Sequence, residues 1–329
     1  MIILPYKNPP TFLCYHNKAF PFGIIEANIE KNITPWICSK CVNCSFNPKS
    51  PRNKFDIAIG DLWGVKENIL TQQIIRVRKD LIASFNMDLL DFLKTALHNG
   101  CYIHGNYNEK YIPGKDSYEK EDYMHDFLII GCNDDSFISM GYLANGRFQQ
   151  FAIPNKNFID SLLDNNGYIL NINLFNYNKV IPPVPNTDKI LKDLEKYIAF
   201  PQSNNKSNGI SYGIQAMEEL KNFFYQESLN SPQLYIDRRY SRALLEHKSM
   251  LVRLIDSFID DKQKLFFLNY AEKNLMHAQT IHMLGIKVEY KKDREMINRI
   301  TMLMEEIITS ETKYLPILLE HMKNKANNN

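Results

Sequence analysis

Thiols and imidazoles are the side chains in this sequence best suited to covalent chemistry. Cys14 stands in "TFLCYHNKAF", directly ahead of a run with helical character. A thiol in that place is open to three readings: a small apolar filler, a metal ligand, or a nucleophile. The thiolate is the reactive form, and both a helix N-terminus and a nearby imidazolium lower the thiol pKa. Among the eight histidines His125 differs by position, because it opens the strand-like run "MHDFLIIG" after the polar stretch "GKDSYEKED". A strand-edge imidazole facing a helix-start thiol is the pairing that thiol enzymes need, since the ring moves a proton to or from the second substrate. The Cys14 backbone N–H is then a natural donor to an oxyanion. His16 reads as a helix-start residue within touching distance of the thiol. Six cysteines and eight histidines offer many pairs, so pattern alone leaves the choice open.

A second thiol cluster is "CSKCVNC", with Cys38, Cys41 and Cys44 at two-residue gaps. Such gaps suit a zinc or iron–sulfur site. A zinc site wants a fourth ligand, usually from a second pair, and Cys101 and Cys132 each stand alone in expected strands. The same spacing also places three small apolar side chains on one helix face. Both readings stand at this point. Six cysteines in 329 residues do not make a disulfide framework, and a reducing compartment keeps them as thiols.

The elements that must hold these groups follow from periodicity. Leu89, Leu90, Leu93 and Leu97 in "NMDLLDFLKTALHNG" repeat at helical steps, with Gly100 as the stop signal. "CYIHGNY", "HDFLIIGC" (125–132), "FISMGYL" (137–143) and "RFQQFAI" (147–153) read as strands, the last three joined by the turn sequences "NDDS" and "ANG". "PNKNFIDSLLDN" reads as a helix with Pro154 near its start. Trp63 in "GDLWGV" reads as core rather than substrate wall. After the proline-rich break "VIPPVPNT" the pattern is helical to about residue 323, where a polar tail is expected to be disordered. The expected fold is α+β: a domain over 1–180 and an all-helical domain over 181–329.

Composition narrows the function. A net charge of +2 with no basic face argues against a nucleic-acid partner. No apolar run approaches the roughly 20 residues that span a bilayer, which argues against a membrane protein. The first residues lack the regions of a signal peptide, so a cytoplasmic location is expected.

Together, "FLCYHNKAFPFGIIEAN", "HGNYNEKYIPGKDSYEKEDYMHDFLIIGCND" and "GYLANGRFQQFAIPNKNF" resemble the N-terminal domain family of the butirosin biosynthesis protein BtrH. That family lies within the papain-like, bacteriocin-peptidase-like superfamily. The likeness covers roughly residues 1–180 and extends loosely to "YIDRRYSRALLEHKSM". It implies a papain-like fold and an acyltransferase that takes an acyl or peptidyl group from a carrier-protein thioester and passes it to an amine. Known members serve an aminoglycoside acceptor or, in closthioamide assembly, a small diamine. Cys14 matches the nucleophile position and His125 the base. Where relatives carry an Asp-Pro pair this chain has "GYLANG", so Asn145 is the residue left to orient the imidazole, with a plain turn role as its other reading. The implied partners are a carrier protein, whose phosphopantetheine arm brings the thioester, and a small amine; no further cofactor or metal is implied. In the helical half Asp237 or Glu246 is a candidate for an acceptor ammonium, and Arg239 for a pantetheine phosphate. A solvated helix with internal ion pairs is the alternative reading of that stretch. A leader-trimming peptidase and a non-catalytic scaffold are the rival functions.

Overall fold

Strong period-two and continuous apolar runs fold here as antiparallel strands, and the three- and four-residue repeats fold as helices. A computed structural model describes residues 1–51, 53–59, 70–73, 84–86, 88–162, 172–177, 184–199, 209–230, 236–260 and 262–327. Trp63 lies outside them. The chain divides into two units, Met1–Lys31 with Asp61–Pro182, and Asn32–Gly60 with Pro183–Asn329. The second unit therefore takes in a segment, 32–60, that sequence pattern had assigned to the N-terminal domain.

The first unit is built on an antiparallel sheet. Its strands are β1 (Ile2–Ile3), β4 (Leu70–Gln73), β5 (Tyr102–Asn108), β6 (Met124–Cys132), β7 (Ser136–Tyr142), β8 (Phe148–Pro154) and β9 (Ile172–Tyr177). They run in the order β4-β9-β5-β6-β7-β8, with β1 paired on β6. Turn chemistry sets the two hairpins. Asn133 Oδ1 accepts from the backbone N–H of Asp135 and Ser136, and Asn145 Oδ1 accepts from that of Arg147 at 2.9 Å. Asp88 caps α3 (Leu89–His98) by accepting from the backbone N–H groups of Leu90 and Asp91. A short helix, α4 (Asn155–Ser161), follows Pro154.

Helix α1 (His16–Asn28) is the central helix of this unit, packed against β6 and β9. Phe20, Phe22, Ile24 and Ile25 are fully buried around its circumference, which is why it carries no marked polar face. Gly23 is fixed by close approach: a Cβ there would lie 2.1 Å from the Tyr6 ring. Tyr6 in turn donates to the Ala19 carbonyl at 2.9 Å, so the N-terminal segment is strapped to the helix.

The second unit holds α2 (Thr34–Cys38), a three-stranded sheet and five helices among the described residues. The sheet pairs β2 (Cys44–Phe46) with β3 (Phe55–Ile57) and β10 (Ser211–Tyr212). The helices are α5 (Thr187–Ile198), α6 (Gly213–Asn230), α7 (Arg238–Phe258), α8 (Lys264–Lys291) and α9 (Arg294–Asn327). Helix α9 carries on through the residues where a disordered tail was expected. The 32–60 segment belongs here because its central part is buried against these helices: His247 Nε2 bonds the Val42 carbonyl at 2.9 Å, and α2 packs on α7.

The three clustered cysteines are part of that packing. Cys38 ends α2, Cys41 lies in the following turn and Cys44 opens β2, so they do not share a helix face. Cys38 Sγ points to the Met250 carbonyl and Cys44 Sγ to that of Gly213. Burial pushes both thiols up to about 12, which keeps them protonated and poor ligands.

At the heart of the helical unit is a buried ion pair. Lys248 Nζ lies 2.7 Å from Glu311 Oε1 and 2.9 Å from the Tyr197 hydroxyl, with the charged side chains 1% and 0% exposed. Removing one partner leaves the other charge buried and uncompensated. Lys248→Met should therefore destabilise the protein by about 3–5 kcal/mol, whereas Lys248→Met with Glu311→Leu should recover most of the loss. Denaturant unfolding of both variants measures this. A single variant as stable as the parent would contradict the account.

Candidate active site

The site is assembled where α1 begins and β6 enters the sheet. Pairing of β5 with β6 sets Tyr107 opposite His125, and the chain leaving β5 then places Glu109 beside the imidazole. Glu109 Oε1 lies 2.7 Å from His125 Nδ1. The same oxygen is 3.1 Å from Lys115 Nζ, which is buried over the Tyr107 and Phe151 rings. Burial pushes the Glu109 carboxyl up, but the His125 hydrogen bond and the Lys115 charge outweigh it and hold the pKa below the usual range. An ionised Glu109 can only accept, so Nδ1 carries a proton and Nε2 is the nitrogen turned away from Glu109.

His16, the first residue of α1, packs against His125 with ring centroids 4.7 Å apart. Asp126 Oδ1 lies 3.1 Å from His16 Nδ1 and 3.4 Å from His125 Nε2. Burial lowers the His16 pKa, so its ring is neutral at pH 7. Burial raises the Asp126 carboxyl, yet the His16 hydrogen bond and the three surrounding imidazoles bring it to about 2. The His125 and Asp126 side chains are 31% and 26% exposed, so this corner of the unit meets solvent.

Cys14 is 3% exposed and stands one residue before Tyr15, the N-cap of α1. Two residues of chain reach at most about 7 Å, which ties Cys14 to the neighbourhood of His16. From the other side, the Tyr142 hydroxyl donates to the Leu13 carbonyl at 2.7 Å, and the Tyr142 ring stacks on His16. The Cys14 segment is thus fixed between the end of β7 and the start of α1.

The remaining expected site residues have other engagements. Asn145 is exposed and its side chain closes the β7–β8 turn, so the position that orients His125 belongs to Glu109 instead. In the second unit Asp237 caps α7 and pairs with Arg239, while Glu246 is buried and accepts from Arg242 Nε at 2.7 Å. Those charges are paired within the helix, but the stretch is not the solvated one that was expected: Glu246, His247 and Lys248 are buried. His16, His125 and Asp126 each bring one ligand atom within 4.8 Å of the others. No comparable group includes Cys38, Cys41 or Cys44 among the described residues.

Sequence reasoning missed Glu109, Lys115 and Asp126. The signal for Glu109 and Lys115 was the charged stretch between β5 and β6, and Asp126 follows His125 within β6; both are legible only once those strands are paired in register. No protein-family model matches the chain, and no curated protein matches it in sequence.

The tether beside Cys14 is open to test. Tyr142→Phe removes the bond to the Leu13 carbonyl and should cost about 1 kcal/mol. It should also speed alkylation of Cys14 by iodoacetamide, followed by peptide mass analysis. An unchanged rate together with unchanged stability would count against the tether.

Proposed function

We propose that this chain is a thiol-dependent acyltransferase with a papain-like N-terminal unit, forming an amide from a carrier-bound thioester and an amine. The observation that carries the reading is His125, oriented by Glu109, set against the helix start that follows Cys14. Cys14 gives its proton to His125 Nε2 and attacks the thioester carbonyl. The carrier thiol leaves with the proton that His125 returns, and the acyl group stays on sulfur. The amine then attacks the acyl-Cys14 carbonyl, and His125 takes up the proton that the new amide nitrogen must lose. Collapse expels the Cys14 thiolate, which the imidazolium reprotonates, so the resting enzyme is restored. Glu109 touches no reacting atom in this scheme; it is a positioning residue that holds the tautomer and stabilises the imidazolium.

Glu109 also favours a second reading. An imidazole backed by a carboxylate is equipped for an unactivated amide, so a peptidase trimming a leader peptide is the rival reading. The two differ in what the acyl group is delivered to.

An acyl-N-acetylcysteamine thioester serves as probe, with a short diamine or an amino sugar as acceptor. Intact mass should show one acyl group on Cys14, converted to free amide when amine is added. Cys14→Ala should lose both the adduct and the product, and retained turnover there would end the proposal. Glu109→Gln should lower kcat roughly 10²- to 10⁴-fold with KM little changed, because the tautomer is no longer held. Hydrolysis of a peptide at equal rate with and without amine would favour the peptidase.

A further inference from the structure

We propose that His16, His125 and Asp126 form a binding site for one divalent transition-metal ion, with Zn²⁺ the best match. Two imidazoles and one carboxylate are the borderline donors that zinc accepts, whereas Mg²⁺ and Ca²⁺ ask for oxygens. Two of the three donor spacings fit as well, and all three atoms lie within 4.8 Å of one another. Donors about 2.0–2.1 Å from a tetrahedral ion stand about 3.3 Å from one another. Asp126 Oδ1 stands 3.1 Å from His16 Nδ1 and 3.4 Å from His125 Nε2.

The surroundings are those of a ligand set rather than of a chance cluster. Glu109 accepts from His125 Nδ1 at 2.7 Å, the carboxylate–histidine arrangement that fixes a metal-ligating ring and aims its other nitrogen at the ion. His16 lacks such a support: its Nε2 is buried with no hydrogen-bond partner among the described residues, so coordination at Nδ1 would leave an unsatisfied N–H there. Charge also points to a cation. Glu109 is answered by Lys115, but the ion-pair partners of Asp126 among the described residues are the two imidazoles alone. Three protein ligands leave a fourth position for solvent, the pattern of an open rather than a closed zinc site.

The site itself does not depend on acyl transfer. Its consequence does rest on that reading: an ion on His125 Nε2 occupies the lone pair that must accept the Cys14 proton, so the metal-loaded protein is catalytically silent. Zinc is then a reversible inhibitor acting through the base.

The test titrates chelator-treated full-length protein with Co²⁺, a coloured stand-in for Zn²⁺. One equivalent should bind with visible d–d bands, and Zn²⁺ should displace it. Asp126→Asn should abolish the bands, while Cys14→Ala should keep them. Glu109→Gln removes no ligand, keeps the assay readable if Asp126→Asn misfolds, and should weaken binding roughly 10- to 100-fold. Absence of stoichiometric binding overturns the site, as does binding that survives in Asp126→Asn but vanishes in Cys14→Ala. The activity arm separates the two proposals. Amide formation without metal binding removes the site and leaves the transferase; metal binding by a protein that never acylates Cys14 supports the site and removes the transferase.

Discussion

The functional corner of this protein depends on one buried carboxylate. Glu109 is shared by a partly exposed imidazole and a buried ammonium, and each partner answers a different problem. Burial alone would protonate the carboxyl and end its hold on His125. The His125 hydrogen bond and the charge of Lys115, desolvated over two aromatic rings, together keep Glu109 ionised. The carboxylate in return gives Lys115 the counter-charge that a buried ammonium requires. Glu109 is thus held by both neighbours, the imidazole it orients and the ammonium beside it. An orienting group held in this way is preorganised before substrate arrives.

A second constraint brings the thiol segment to that imidazole. Helix α1 begins one residue after its N-cap Tyr15, and its first residue packs directly on His125. The helix has little freedom to shift along its axis. Tyr6 fills the space over Gly23 and bonds the Ala19 carbonyl, while Asn28 bonds the Tyr102 hydroxyl at the other end. Tyr142 secures the chain just ahead of Cys14. Local packing of ordinary core residues thus decides where the segment that carries Cys14 ends and where the two imidazoles meet.

What the sequence made legible was whatever depends on near neighbours. The strands between 102 and 154 announce themselves by apolar runs and by Asn-containing turns, and Asn145 behaves as the turn residue that "ANG" spells. Gly100, read as the stop of α3, follows the helix end at φ +79°. Residues joined by long-range register were hidden. Strict alternation sends His125 and Asp126 to opposite faces of β6, yet both converge on His16 at the mouth of the strand. Glu109 acquires meaning only when Asn108 is known to face Met124 across the β5–β6 pair. The cysteine cluster misled in a related way. Its spacing fits a helix face, but α2 stops at Cys38, and the segment is held by β2–β10 pairing and by helices distant in sequence. Periodicity reports which side of an element is apolar; it does not report what that side meets.

The two uses assigned to His125 Nε2 are mutually exclusive, and that exclusion follows from the geometry. A single lone pair takes either a proton or an ion. Asp126 lies beside both rings, and its charge would favour the imidazolium that the proposed acyl transfer requires. The feature that assists proton uptake therefore also supplies the third metal donor. A site selected for proton transfer alone would be expected to keep one imidazole with one orienting carboxylate, as His125 and Glu109 already provide. The second imidazole, neutral, buried and bonded to Asp126, adds nothing that the first step of acyl transfer requires. On the two proposals, its presence at the same corner is what would separate a plain thiol dyad from a centre that exchanges a proton for a metal.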